Sequence, residues 1–231
     1  MSTASPPRSP ARDDAAGVIQ TVFCALLLVA NVAATKLIVL GPTWSPGGWS
    51  VLPLVFDGGA VVFPLTYVLG DVLAEVYGYR AARRAIWLGF ALSALAAGTL
   101  ALVDWAPAAP DWPHQAAWHA VLGFVPRIVA ASLIGYLAGQ LLNARVLVAL
   151  RDRSRPGSLW FRLLGSTALG GAVDTVLFCG IAYLAVVPTR TLLNYIVVGY
   201  LYKLVLEALL LPCTTRLVGY LKRRQARPSQ A

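Results

Sequence analysis

The stretch FPLTYVLGDVLAEVYGYRAARR (residues 63–84) decides how this chain must fold. Its first part is an apolar run, yet Asp71 and Glu75 lie within it, and three arginines follow immediately. Residues four apart lie on the same face of an α-helix, so the two carboxylates are predicted to project together from one helix. An apolar helix can carry such a face only where that face meets other polar groups or water.

The composition of the whole chain is that of a membrane protein. Of its 231 residues, 58% are hydrophobic, well above the share in soluble globular domains. Apolar runs close to the roughly 20 residues that cross a bilayer recur along the chain and leave no room for a separate soluble domain. The three cysteines lie in these runs without the spacing of a metal site. We therefore predict an all-α polytopic membrane protein with no metal ion and no cofactor.

Six transmembrane helices are predicted from the apolar runs. They lie near Gly17–Leu40, Gly59–Tyr77, Arg84–Val103, Ala116–Val146, Leu159–Val187 and Thr191–Leu221. The transmembrane domain is thus expected to cover residues 17–221, between a disordered tail of residues 1–16 and a basic tail of residues 222–231. The segment 41–57, rich in proline, glycine and tryptophan, is expected to form a cap or a partly re-entrant outer loop.

The positions of the basic residues predict the orientation, because lysine and arginine near a span are retained on the cytoplasmic side. Most of the 19 lysines and arginines precede span one, follow span two, surround the loop between spans four and five, or follow span six. The opposite loops carry Arg190 alone. Both termini are therefore predicted to be cytoplasmic. Topology also accounts for the net charge of +9, so no nucleic acid partner is predicted.

Seven ionisable side chains are not explained by this topology. They lie within or at the margins of the spans and are Lys36, Asp71, Glu75, Arg127, Asp174, Lys203 and Glu207. An ionised group at the bilayer centre costs about 2.5–3.5 kcal/mol, so these groups are predicted to face one another or a hydrated interior. The alternative is a structural role, in which the charges pair to hold helices in register. For Glu75 and Lys36, interfacial positions are a further alternative.

Helical spacing predicts which faces meet in that interior. Lys203 and Glu207 lie four residues apart on span six, as Asp71 and Glu75 do on span two. Asp174 shares a face of span five with Ser166, and Ser132 marks the polar face of span four. The spacing therefore predicts that charged and small polar side chains of several spans meet in one interior.

The sequence contains no pattern typical of an enzyme. It has no HExxH or GxSxG motif, no clustered histidines and no Walker A loop. We therefore predict no catalytic residues and no enzymatic activity. A carrier that binds a polar solute near the middle of the membrane explains the buried charges better.

The motif D-x-x-x-E-x-Y-G-Y at Asp71–Tyr79, together with NVAATK before it and LWFRLLGSTALGGAVDTVLF after it, resembles the queuosine precursor transporter family. The same family was formerly grouped as putative vitamin uptake transporters. The resemblance runs from about Ala30 to Leu221. It implies inward transport of 7-cyano-7-deazaguanine and 7-aminomethyl-7-deazaguanine across the bacterial inner membrane, for synthesis of the tRNA base queuosine.

Such a substrate suggests roles for the side chains found above. Asp71 and Asp174 are candidate acceptors for the guanine edge, and Lys203 and Arg127 are candidate donors or counter-ions. Glu75 and Glu207 are expected to act as a gate or to stabilise the basic pair. The remaining candidate polar contacts are Asn31, Lys36, Ser132, Gln140 and Ser166, and the candidate stacking residues are Tyr67, Tyr77, Phe178 and Tyr200.

Two other functions stay open from the sequence. One is a substrate-binding membrane subunit of an ATP-driven vitamin or nucleobase importer, which needs separate ATPase subunits. The other is a membrane enzyme or a structural membrane protein. The expected partners are the lipid bilayer and a small 7-deazaguanine, and a homo-oligomer is left open.

Overall fold

The computed structural model describes residues 10–44, 52–153 and 159–226. Its helices are α1 (Pro10–Ala33), α2 (Phe63–Val72), α3 (Tyr79–Trp105), α4 (Gln115–Val121), α5 (Val125–Arg153), α6 (Leu159–Tyr183) and α7 (Thr189–Ala226), and its strands are β1 (Leu37–Trp44) and β2 (Leu52–Asp57). The prediction of an all-α membrane protein is confirmed in that most of the described chain is helical. The structure adds one β-hairpin to the predicted helices.

Four helical segments in the described part of the chain are long and apolar enough to cross a membrane. They are Asp14–Ala33, Tyr79–Trp105, Gln115–Val146 and Thr189–Leu210, and a shorter apolar helix covers Ala168–Tyr183. These segments fall on the predicted spans one, three, four, six and five. Predicted span two falls on α2 and the helical turn that follows it. The protein is therefore a multi-pass membrane protein.

The first span differs from its prediction at both ends. Helix α1 begins at Pro10, so part of the segment predicted as a tail is helical, while residues 1–9 lie outside the described chain. The helix ends at Ala33 rather than at Leu40, and a turn leads into β1. The prediction failed here because the β-branched, apolar run LIVL suits a strand as well as a helix.

Strands β1 and β2 form an antiparallel pair, in which Leu37 lies opposite Asp57 and Leu40 opposite Leu54. The predicted cap or re-entrant loop at 41–57 is therefore partly a hairpin, although residues 45–51 lie outside the described chain. The pairing continues into the turn after β2, where the Gly58 N–H donates to the Lys36 carbonyl at 2.8 Å. The hairpin thus brings Asp57 back to the end of α1.

The motif Asp71–Tyr79 forms an interrupted helix. Helix α2 passes into a π-helical turn over Leu73–Tyr77, and Gly78 then adopts φ 89° before α3 begins. This left-handed conformation favours glycine, because a residue with a Cβ is strained there. Single π turns within helices occur often at functional sites. The second apolar segment therefore passes into the third with Gly78 alone between the π turn and α3.

Helices α5 and α6 approach each other closely through glycines. A Cβ added to Gly139 would lie 2.7 Å from the Gly170 carbonyl oxygen, and one added to Gly135 would lie 2.9 Å from the Asp174 carbonyl oxygen. Small residues at such crossings let helix backbones come into contact within a membrane. The contact fixes Asp174 directly against α5.

Two of the three buried apolar clusters in the described part of the chain lie next to a cavity. The first joins the hairpin to α5, α6 and α7 and includes Val55, Ile128, Cys179 and Tyr183. The second joins α1, the π turn, α3 and the far part of α7, as shown by its members Phe23, Leu73, Ala85 and Val218. Residues of both clusters line this cavity, which lies between them.

Candidate functional site

A cavity of about 440 Å³ lies among the helices and is lined by one face of each of several helices. The lining residues on α2 and the π turn after it are Phe63, Thr66, Tyr67, Gly70, Asp71 and Ala74, those on α5 are Ser132, Tyr136 and Gln140, and those on α7 are Tyr195, Gly199, Tyr202 and Lys203. Spacings of three and four residues place each set on one helical face. The volume falls within the usual range of small-molecule sites, about 300–1,000 Å³.

An ion pair between α6 and α7 lies in the cavity wall. The Lys203 Nζ is 2.7 Å from the Asp174 Oδ2, and the two side chains are 21% and 27% exposed. Lys203 also lies over the Phe63 ring, with its Nζ 6.0 Å from the ring centroid. The pair keeps both charges partly solvated and within reach of a molecule in the cavity. This pair agrees with the expectation that ionisable groups within the spans face one another.

Asp71 lies on the same cavity wall but is exposed. Its carboxylate interacts electrostatically with Glu75 and Glu207, both of which are also exposed. Glu75 pairs with Lys222 on α7 at 3.0 Å, and neither Glu75 nor Glu207 lines the cavity. Of these three carboxylates, Asp71 alone lines the cavity.

Asp57 is the most enclosed carboxylate of the cavity, with only 4% of its surface exposed. It lies at the end of β2 and accepts hydrogen bonds from the Tyr195 hydroxyl and from the Ala60 N–H, the latter at 3.2 Å. Two further bonds fix this end of the cavity: the Val55 N–H donates to Asn194 Oδ1 at 3.2 Å, and the Tyr202 hydroxyl donates to the Ala60 carbonyl at 2.9 Å. The hairpin and α7 therefore close the cavity together around Asp57.

The glycines after Asp57 allow this arrangement. A Cβ on Gly59 would lie 2.7 Å from the Asp57 Oδ1 and 2.9 Å from the Ala30 carbonyl oxygen. A Cβ on Gly58 would collide with the Ala33 carbonyl oxygen. Only glycine lets the short 3₁₀ helix Gly58–Val61 pack this closely on the end of α1.

Arg127 does not line the cavity. Its Nε donates to the Ile181 carbonyl and its Nη2 to the Leu184 carbonyl, both at 2.7 Å, and its guanidinium lies 5.9 Å from the Phe124 ring centroid. These carbonyls belong to the end of α6 and the turn after it, where backbone acceptors lack helical partners. The side chain thus caps α6.

We expect Arg127→Gln to lower the free energy of unfolding by about 1.5–3 kcal/mol, because charge-assisted hydrogen bonds to the end of α6 are lost. Substrate affinity should stay unchanged, since the guanidinium lies outside the cavity. Thermal unfolding and ligand titration of the detergent-solubilised protein measure the two effects. Arg190→Gln, at an exposed arginine, is the control. A loss of affinity without a loss of stability would contradict this assignment.

The other predicted polar contacts are distributed between the cavity and the helix interfaces. Ser132 and Gln140 line the cavity. Asn31 instead donates to the Ser93 Oγ at 3.2 Å between α1 and α3, and Lys36 is exposed beside the hairpin. Ser166 lies on α6, but its side chain is outside the described part of the chain.

The predicted stacking residues divide in the same way. Tyr67 and Phe178 line the cavity. Tyr77 is buried in the second apolar cluster, and the Tyr200 hydroxyl donates to the Ala168 carbonyl at 3.1 Å.

The family model "Putative vitamin uptake transporter" matches residues 57–217 of this chain. The match covers well over half of the chain. The chain belongs to this family. Membership in a transporter family agrees with the prediction that the protein is not an enzyme. The match begins at Asp57, the enclosed carboxylate, and includes every charged residue of the cavity wall.

Two curated proteins are similar to this member of the vitamin uptake transporter family. The "Probable queuosine precursor transporter" of Bacillus subtilis (strain 168) is 34% identical over 157 residues, which cover 67% of this chain and 68% of the relative. The "Queuosine precursor transporter" of Escherichia coli (strain K12) is 28% identical over 134 residues, covering 58% of each protein. No solved structure matches the chain.

Asp57 and Tyr195 line the cavity of this family member but are not among the residues predicted from the sequence. Asp57 was assigned to an outer loop, because its position beside Tyr195 depends on the hairpin and is not visible in local spacing. Tyr195 had a usable signal: it lies four residues before Gly199 and eight before Lys203, on the same face of α7.

Proposed function

We propose that this protein imports the queuosine precursors 7-cyano-7-deazaguanine and 7-aminomethyl-7-deazaguanine across the bacterial inner membrane, for queuosine modification of tRNA. The names of its two relatives support this substrate class. The single structural observation that carries the proposal is the cavity, in which carboxylates and a lysine project between aromatic side chains. A flat heterocycle with hydrogen-bonding edges needs this combination.

The chemistry of a 7-deazaguanine matches the groups around the cavity. Its N1–H and 2-amino group form a pair of parallel donors, which a carboxylate can accept with two hydrogen bonds. Its 6-carbonyl needs a donor, and Lys203 lies in the wall for this purpose. Asp71, Asp174, Ser132 and Gln140 supply further polar contacts, while Phe63 and Phe178 offer apolar faces to the ring.

We propose that six segments cross the membrane and that both termini are cytoplasmic. The four long apolar helices and the shorter Ala168–Tyr183 helix support five crossings. Helix α2 with its π turn, Phe63–Tyr77, would make a short, interrupted sixth, about 22 Å long at 1.5 Å per residue. Interrupted helices often line the substrate sites of transporters, where irregular backbone can meet a cavity. The basic loops support the orientation.

Complementation tests the proposed substrate class. The chain is expressed in a bacterial strain that lacks both its own precursor transporter and precursor synthesis, and queuosine in tRNA is measured with nanomolar precursor supplied. We expect the wild type to restore queuosine in tRNA. Asp71→Asn and Asp174→Asn, at equal membrane levels, should restore at least about tenfold less, because each variant loses an acceptor in the cavity. Asp111→Asn, in an exposed loop, is the control.

Two outcomes would contradict the proposal. If a well-expressed wild type does not restore queuosine in tRNA, the proposed substrate class is wrong. If the wild type and both cavity variants restore queuosine equally, these carboxylates do not bind the substrate. Uptake by the purified protein alone in liposomes separates a self-sufficient carrier from a binding subunit of an ATP-driven importer, since such a subunit binds the substrate without sustaining uptake.

A further inference from the structure

Asp57 is an acid without a basic partner at the closed end of the cavity. Its side chain is almost fully enclosed, and none of the ion pairs among the described residues includes it. Lys203 influences it electrostatically, but the Lys203 Nζ bonds to Asp174 at 2.7 Å. An enclosed carboxylate without a cation is unfavourable unless hydrogen-bond donors surround it. The protein supplies only part of that set.

The Asp57 carboxylate can accept more hydrogen bonds than the protein donates to it. Its Oδ1 accepts from the Ala60 N–H, and its Oδ2 accepts from the Tyr195 hydroxyl. A carboxylate has about four lone-pair positions, two on each oxygen. The Gly59 N–H also interacts with this carboxylate. The bonds from Ala60 and Tyr195 occupy only one position on each oxygen, so a further donor can still approach both oxygens. Two acceptor positions on one carboxylate match a pair of parallel N–H donors.

The position of Asp57 is fixed before any ligand binds. Its Oδ1 is held by the turn that follows it, and Gly59 lies directly against this oxygen. Its Oδ2 is held by Tyr195, which belongs to the first apolar cluster. Groups locked in this way bind a ligand with little loss of side-chain freedom.

We propose that Asp57, oriented by Tyr195, is the carboxylate that binds the N1–H and 2-amino donors of the substrate and so selects guanine-type heterocycles. This inference rests on the proposed function. It assigns to Asp57 the role that the sequence analysis gave to Asp71 and Asp174. Lys203, which interacts electrostatically with Asp57, then donates to the neighbouring 6-carbonyl.

The other two carboxylates of the cavity are less suited to this role. Asp174 already bonds Lys203 through Oδ2, and its Oδ1 faces the close approach of Gly135, where an added Cβ would lie 3.0 Å away. Asp71 is exposed and lies beside two glutamates, so its position is less constrained. We assign to Asp174 the positioning of Lys203.

Replacement of Asp57 by asparagine tests the assignment through selectivity. Asparagine can still cap the turn at Ala60, because asparagine and aspartate cap helices equally well. It presents one acceptor and one donor where aspartate presents two acceptors. The 2-oxo group of 7-deazaxanthine needs that donor, whereas the 2-amino group of 7-deazaguanine is repelled by it.

Binding of both heterocycles to the purified, full-length protein is measured by titration calorimetry. We expect the wild type to prefer 7-deazaguanine. In Asp57→Asn, affinity for 7-deazaguanine should fall about 10–100-fold and the order of preference should invert. Asp71→Asn should weaken the binding of both heterocycles without changing which of them binds more tightly. An unchanged preference in a folded Asp57→Asn variant would overturn the inference.

A second variant keeps the test decisive if Asp57→Asn does not fold. Tyr195→Phe removes one hydroxyl and keeps the ring, and we expect it to reduce the preference for 7-deazaguanine over 7-deazahypoxanthine, which lacks the 2-amino group, by about threefold to tenfold. An unchanged ratio would contradict the inference. If the wild type binds none of these heterocycles, the proposed function itself fails. If it binds them and the variants keep its selectivity, only the role of Asp57 fails.

Discussion

Lys203→Met is expected to abolish measurable uptake and to lower the free energy of unfolding by about 3–5 kcal/mol. The reason is that Lys203 and Asp174 form a partly buried pair between α6 and α7, with Nζ and Oδ2 2.7 Å apart. Removal of the lysine leaves a carboxylate without its partner inside the helix assembly. It also removes the donor that we assign to the 6-carbonyl of the substrate. Thermal unfolding in detergent and uptake in liposomes measure the two consequences.

A second lysine on the same helix provides the matched control. Lys222 pairs with Glu75 at 3.0 Å, but these side chains are 50% and 64% exposed. An exposed pair contributes about 0–1 kcal/mol, so Lys222→Met should change stability little. The double variant Lys203→Met/Asp174→Asn should regain most of the lost stability, because no unpaired charge remains, without regaining uptake. Recovery of uptake in the double variant would show that the pair is only structural.

The parts of the site that follow from local helical spacing could be predicted from the sequence. Asp71, Asp174 and Lys203 are predictable because ionised groups in apolar helices must face a polar interior, and all three line the cavity. Ser132 is predicted from the polar face of its helix in the same way, whereas Gln140 follows only from the substrate that the family resemblance implies; both line the cavity. The spacing of residues in the sequence decides which of them share a face of a helix. These faces can therefore be predicted without knowing how the helices pack.

The parts that depend on contacts between distant segments could not be predicted. Arg127 lies in an apolar segment, but nothing in its neighbours indicates that it bonds carbonyls at the end of α6. Asp57 reaches the cavity because β1 and β2 pair, and an apolar run such as LIVL does not distinguish a strand from the end of a helix. Lys222 meets Glu75 across 147 positions of sequence. Each of these contacts is decided by packing.

The glycine contact between α5 and α6 places a second strong constraint on the site. At Gly139, an added Cβ would lie 2.7 Å from the Gly170 carbonyl oxygen and 2.9 Å from the Asp174 Cβ. The nearest atoms thus belong to backbone or to the first carbon of a side chain, which cannot rotate away. Helix α6 would have to move away from α5, and Asp174 would move with it.

We therefore expect Gly139→Leu to lower the free energy of unfolding by about 3 kcal/mol or more, at the upper end of the cost of overpacking, and to abolish uptake. Gly139→Ala should give a smaller loss of both, because it adds a single methyl group. Gly180→Leu on α6 is the control, since nothing lies within 4 Å of the Cβ it would add. Thermal unfolding in detergent and liposome uptake are measured for all three. If Gly139→Leu were as stable and active as Gly180→Leu, α5 and α6 would not be in contact at this point, and the position of Asp174 in the cavity wall would have to be revised.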